Sequence, residues 1–97
     1  MYGATLERRA RVEFLPKIGM IQVYVDHDPP HFHIQIKDST DLKFHLNTCK
    51  QIEGKPISSK QKKDLLRWYF DEYGFSKVAT LWNQLNPERE IDITPRR

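Results

Sequence analysis

Two hydrophobic rhythms divide the chain. Up to about residue 53 apolar and polar side chains tend to alternate, whereas from Ser58 to Leu85 apolar positions recur every three or four residues. The first rhythm predicts strands and the second helices. Arg11 to Leu15 reads as a short strand ended by Pro16, and Met20 to Val25 as a β-rich second strand. Asp26-His27-Asp28-Pro29-Pro30 must be a connection, because two prolines remove two ladder donors and fix φ near −65°. In His31 to Lys37, Phe32, Ile34 and Ile36 share one face, and His31, His33, Gln35 and Lys37 the other. In Asp41 to Asn47, Leu42, Phe44 and Leu46 alternate with Lys43, His45 and Asn47. Lys50 to Glu53 adds a short strand before a turn at Gly54.

Parity constrains how the two alternating strands pair. A two-residue turn would set Ile34 against His45 and mix the faces, at a cost wherever one face is buried. A three-residue loop, Asp38-Ser39-Thr40, keeps the faces separate. It sets Ile34 opposite Phe44, Lys37 opposite Asp41 and His33 opposite His45.

Ser58 and Gln61 have the spacing of a capping box, so a helix is expected over about Ser59 to Tyr73, with Leu65, Leu66, Tyr69, Phe70 and Tyr73 on its apolar face and Gly74 as its stop. A second helix, capped by Ser76, presents Phe75, Val78, Ala79, Trp82 and Leu85 and ends at Asn86-Pro87. The expected fold class is α+β: an antiparallel meander of three to four strands with two C-terminal helices on its apolar face. Residues 1–10 read as a flexible arm, 11–87 as a single domain, and 88–97 as a polar tail with a β-prone Ile91-Asp92-Ile93.

Composition limits this picture. The chain has 97 residues, 38% hydrophobic and 30% charged, so its core must be modest and must lean on eleven aromatic side chains. No apolar run is long enough to span a membrane, no secretory leader is visible before Arg11, and a single cysteine, Cys49, excludes an internal disulfide. A cytoplasmic location is the expectation. Charge is uneven. Residues 50–67 hold six basic and two acidic side chains, and residues 26–49 hold two basic, four acidic and all four histidines. Lys55, Lys60, Lys63 and Arg67 are therefore the candidates for binding an anion or a nucleic acid, against the plainer reading of a solvated helix face.

Chemistry concentrates in Asp26 to His33, where three imidazoles and two carboxylates fall within eight residues. His27, His31 and His33 with Asp26 or Asp28 match the donor set of a divalent transition ion such as zinc or nickel. Alternatively, His31 and His33 are a general base and acid for phosphodiester cleavage, which makes a histidine-dependent ribonuclease a second reading. In a third, the Asp-Pro-Pro stretch is a shaped turn that serves a binding surface. Cys49, with no assignable base, reads as a buried or idle thiol.

The run Asp26-His27-x-Pro29-Pro30-His31-Phe32-His33 resembles the signature of a bacterial family, Domain of Unknown Function 4160. The resemblance continues through Glu53-Gly54-Lys55, the helix bearing Trp68, and Trp82, and covers roughly residues 18–86. The segment before Ile18 departs from the family's usual start, and His45 and Cys49 lie outside its motif. The resemblance implies a small cytoplasmic prokaryotic protein with no established enzymatic activity. It also implies a gene set beside that of a small partner protein, in an arrangement like a toxin–antitoxin pair. The expectation it favours is a partner-binding component of such a module, with the histidine-rich loop as its functional surface.

Overall fold

The computed structural model describes residues 9–26, 29–36 and 41–93. Five antiparallel strands form one sheet in sequential order: β1 (Arg9–Leu15), β2 (Gly19–Tyr24), β3 (His31–Gln35), β4 (Asp41–His45) and β5 (Gln51–Glu53). Two helices follow, α1 (Ser59–Asp71) and α2 (Gly74–Leu85), then a 3-10 turn at Pro87–Arg89. The α+β meander with two C-terminal helices is as expected, with five strands. No helix among the described residues is long and apolar enough to cross a membrane.

The apolar face of the sheet meets the helices. Phe32 stacks between Phe44 at 5.5 Å and Tyr69 of α1 at 5.1 Å, and Tyr69 meets Phe75 of α2 edge-on at 5.8 Å. The Tyr69 hydroxyl donates to the Leu46 carbonyl, so this buried aromatic keeps its polar end satisfied. Ile21, Val23, Ile34, Leu42, Leu65, Val78, Ala79 and Trp82 complete the core.

One bulge explains two oddities. Arg11 pairs with Gln22 but Glu13 pairs with Ile21, so one extra residue enters β1 between them. The insertion reverses the alternation of the strand beyond it. Glu13 turns to the helix face, where it accepts from Trp68 Nε1 at 3.1 Å and Lys77 Nζ at 2.9 Å and so ties β1 to both helices. Phe14 turns the other way and is left 59% exposed.

Three sequence expectations need correction. The β3–β4 register is shifted by two: Ile34 lies opposite Leu42, His31 opposite His45, His33 opposite Lys43 and Gln35 opposite Asp41. The shift preserves parity, so the faces stay separate although every partner changes. Lys37 and the proposed loop at 38–40 lie outside the described residues. Secondly, Ser76 does not cap α2. The helix starts at Gly74, and Tyr73 takes the left-handed conformation (φ 70°) that was expected of the glycine, leaving its ring 77% exposed rather than on the apolar face. Gly74 is needed for space, because a Cβ there would lie 2.6 Å from the Trp68 ring. The capping box of α1 forms as expected, with Gln61 N–H donating to Ser58 Oγ and Ser58 N–H to Gln61 Oε1. Thirdly, residues 91–93 are not a strand. Asn83 takes both the N–H and the carbonyl of Ile91, while Ile91 and Ile93 pack against the core.

Candidate functional site

The site is built where β2 leaves the sheet and β3 enters it. Pro29 and Pro30 cannot donate, but both carbonyls are used. Pro30 accepts from Leu46 N–H at 2.9 Å, and Pro29 lies 2.7 Å from His31 Nδ1. The proline corner thus joins β3 to the end of β4 and also orients the first histidine. Asp26 is fixed from the far end of the chain. Its backbone N–H donates to Asn86 Oδ1 at 2.9 Å, and Asn86 Nδ2 donates to the Tyr24 carbonyl at 3.1 Å. Asn86 is buried at the C-terminal cap of α2, and Trp82, one turn earlier, brings its ring to 5.9 Å from that of His31. An α2 side chain therefore reaches the histidines, which were expected to lie clear of the helices.

His31 and His33 share a face, as alternation requires, but they are not a solvated pair. Their side chains are 3% and 12% exposed. Tyr24 packs on His33 edge-on at 4.4 Å, and the two imidazoles are 5.2 Å apart. Beside them Gln22 is wholly buried, accepting from Arg9 Nη1 and the Tyr24 hydroxyl and donating to Gln35 Oε1.

Hydrogen bonding sets the ring tautomers. The Pro29 carbonyl can only accept, so His31 carries its proton on Nδ1. Asp41 Oδ2, 2.8 Å from His33 Nδ1, imposes the same on His33. Both Nε2 atoms then turn toward Asp26. Oδ2 of that residue is 2.9 Å from His31 Nε2 and 3.8 Å from His33 Nε2. His33 Nε2 is buried and has no hydrogen-bond partner. A lone pair on His31 Nε2 facing a bare carboxylate oxygen at 2.9 Å is repulsive, so this contact calls for a shared proton or a metal ion between the two atoms. Asp26, His31 and His33 each offer a ligand atom within 4.8 Å of the others. A tetrahedral ion about 2.0–2.1 Å from each donor wants donors ~3.3 Å apart, a separation bracketed by the 2.9 and 3.8 Å distances.

The other candidates fall elsewhere. His27 and Asp28 lie outside the described residues. His45, opposite His31, accepts the Asn47 N–H on Nδ1. Lys60 and Arg67 pair with Asp64 along α1, at 3.8 and 2.8 Å, and the carbonyl of Lys55 accepts from Gln51 Nε2. Lys60, Lys63 and Arg67 belong to the helix whose Tyr69 stacks on Phe32, and Phe32 points away from the face of His31 and His33. Burial pushes the Cys49 thiol up to about 12 and removes it from nucleophilic chemistry. On the histidine face, Lys43 pairs with Glu53 at 2.9 Å and lowers the Glu53 carboxyl below its usual range. Asp41, Asn86, Tyr24 and Trp82 were not anticipated as parts of the site. The signal for Asp41 was its place opposite the histidine strand, and the signal for Asn86 was an uncharged polar residue where a helix closes.

A family model described as a domain of unknown function (DUF4160) matches residues 18–74, more than half of the chain. That span holds Asp26, His31, His33 and Asp41 and stops short of Trp82 and Asn86. No curated protein and no solved structure matches the chain.

Proposed function

The chain belongs to the DUF4160 family, and from that premise we propose that it is a metal-binding protein that takes one divalent transition ion on Asp26, His31 and His33. One observation carries the reading: two imidazoles held with Nδ1 protonated turn both Nε2 atoms on a single carboxylate oxygen, and one of them is buried without a partner. A second proton on His31 would join His31 to Asp26 and leave His33 Nε2 without a partner, whereas an ion engages all three groups. The outer contacts have the form that metal-bound histidines use, each Nδ1–H donating to a carbonyl or carboxylate that fixes the ring. Two imidazoles and a carboxylate suit zinc, nickel or ferrous iron. Three protein donors leave at least one coordination position for water or a ligand.

Calorimetric titration of the tag-free protein with zinc and with nickel tests the reading. Saturation at one equivalent is expected, with His31→Ala and His33→Ala each weakening binding at least tenfold. Equal affinity in both variants would reject it.

The second reading is a partner-binding component of a toxin–antitoxin-like module. Phe14 favours it, as a large apolar side chain left exposed at an edge strand of the sheet. Co-expression with the product of the adjacent gene should give a 1:1 complex that Phe14→Ala weakens, and separate elution of the two proteins would count against it.

A further inference from the structure

The sheet carries one uninterrupted row of side chains across its histidine face. Arg11 lies opposite Gln22, Gln22 opposite His33, His33 opposite Lys43, and Lys43 opposite Glu53. Directly opposed residues of antiparallel strands share a face, so this row runs beside the Asp26–His31–His33 cluster. Most polar groups along it are engaged. Gln22 is bonded to Arg9, Tyr24 and Gln35, His33 to Asp41, and Lys43 to Glu53. Arg11 is exposed and has no hydrogen bond or ion pair among the described residues. It stands two strands from His33, roughly 10 Å away, a span that an arginine side chain and a small bound anion bridge together.

The charge balance indicates what such a guanidinium would meet. Among the described residues, the row, the side chains bonded to it and the cluster hold Arg9, Arg11 and Lys43 against Asp26, Asp41 and Glu53, three charges of each sign. Without an ion these six charges balance. A divalent ion on the cluster leaves two positive charges in excess, next to one uncommitted guanidinium fork. Resting on the metal reading above, we infer that the loaded site binds a small oxyanion, of the phosphate or carboxylate kind, with one oxygen on the open position of the ion and another on Arg11. The basic cluster of α1 is not needed for this. The anion site lies on the opposite face and exists only when the ion is in place.

Cobalt substitution separates the two claims, because bound cobalt reports its own coordination by visible absorption. The tag-free wild type and Arg11→Gln are titrated first with cobalt alone. The cobalt-loaded proteins are then titrated with inorganic phosphate and, in a parallel arm, with acetate. Both proteins should bind cobalt with the same affinity. Phosphate or acetate should shift the wild-type spectrum to saturation, about tenfold more weakly in Arg11→Gln. The tighter of the two arms identifies the class of ligand. A cobalt spectrum indifferent to both anions, or equal anion affinity in Arg11→Gln, overturns the oxyanion site and leaves the metal site standing. Failure to bind cobalt at one equivalent overturns the metal reading and the oxyanion site with it.

Discussion

Asp41 Oδ2 lies 2.8 Å from His33 Nδ1, on the far side of the ring from Asp26. The contact fixes a tautomer and an orientation, and it leaves Nε2 as a lone pair directed inward. Asp41→Ala should therefore weaken zinc binding by about tenfold or more, although Asp41 offers no ligand atom to the cluster. Calorimetry on the purified variant measures this. Asp41 is half exposed and lies at the start of β4, so its melting temperature should be close to wild type.

Asn86 fastens the end of α2 to the strand end that carries Asp26. Removing its amide leaves the Asp26 N–H and the Tyr24 carbonyl without their partner in a buried setting. Asn86→Ala should cost about 1–3 kcal/mol in a urea titration. It should also loosen Asp26 and weaken zinc binding, joining a stability effect to a site effect 60 residues away in sequence.

Glu13 supplies the pH-dependent part of the helix–sheet contact. The hydrogen bond from Lys77 and, to a smaller degree, that from Trp68 hold its carboxyl below the ordinary 4.5 against some desolvation. A depressed carboxyl contributes stability above its unfolded value and loses it as pH falls through the folded one. Thermal melts should thus show wild type more stable than Glu13→Gln at pH 6, by a few tenths to about 1 kcal/mol for so exposed a pair. The difference should shrink as pH falls below 4.5.

Cys49 is expected to be inert while the fold is intact. With burial raising the thiol from 9.0 to about 12, the thiolate fraction at pH 8 falls roughly a thousandfold. Ellman's reagent should therefore label the native protein far more slowly than the urea-unfolded chain. Comparable rates would mean that the turn after β4 opens freely.

How much of this was legible in the sequence follows from the range of each interaction. Alternation assigned Phe32 and Ile34 to the core and put His31 and His33 on one face, because parity is a local property of a strand. The capping box of Ser58 and Gln61 was readable for the same reason. Register was not: parity forbids slips by one residue but permits slips by two, and the chosen loop length set His33 against His45 instead of Lys43. The bulge in β1 left no clear signature, since Val12 and Phe14 would have alternated acceptably without it. Tyr73 and Gly74 exchanged their expected roles because contact with Trp68, a tertiary constraint, required the missing side chain in the helix rather than at its stop. Within the site, the candidate donors were visible in the Asp26 to His33 run. Their supports, Asp41 and Asn86, depend on strand pairing and helix docking, and no local pattern carries that information.

The most direct test of the proposed metal site is a long-range nitrogen–proton correlation spectrum of the histidine rings, recorded on the tag-free protein as zinc is added to one equivalent. Coordination predicts that the Nε2 resonances of His31 and His33 move together and saturate at one equivalent, while both Nδ1 atoms keep their protons and His45 stays put. Nε2 resonances of His31 and His33 that ignore zinc, or shifts confined to His45, would contradict it.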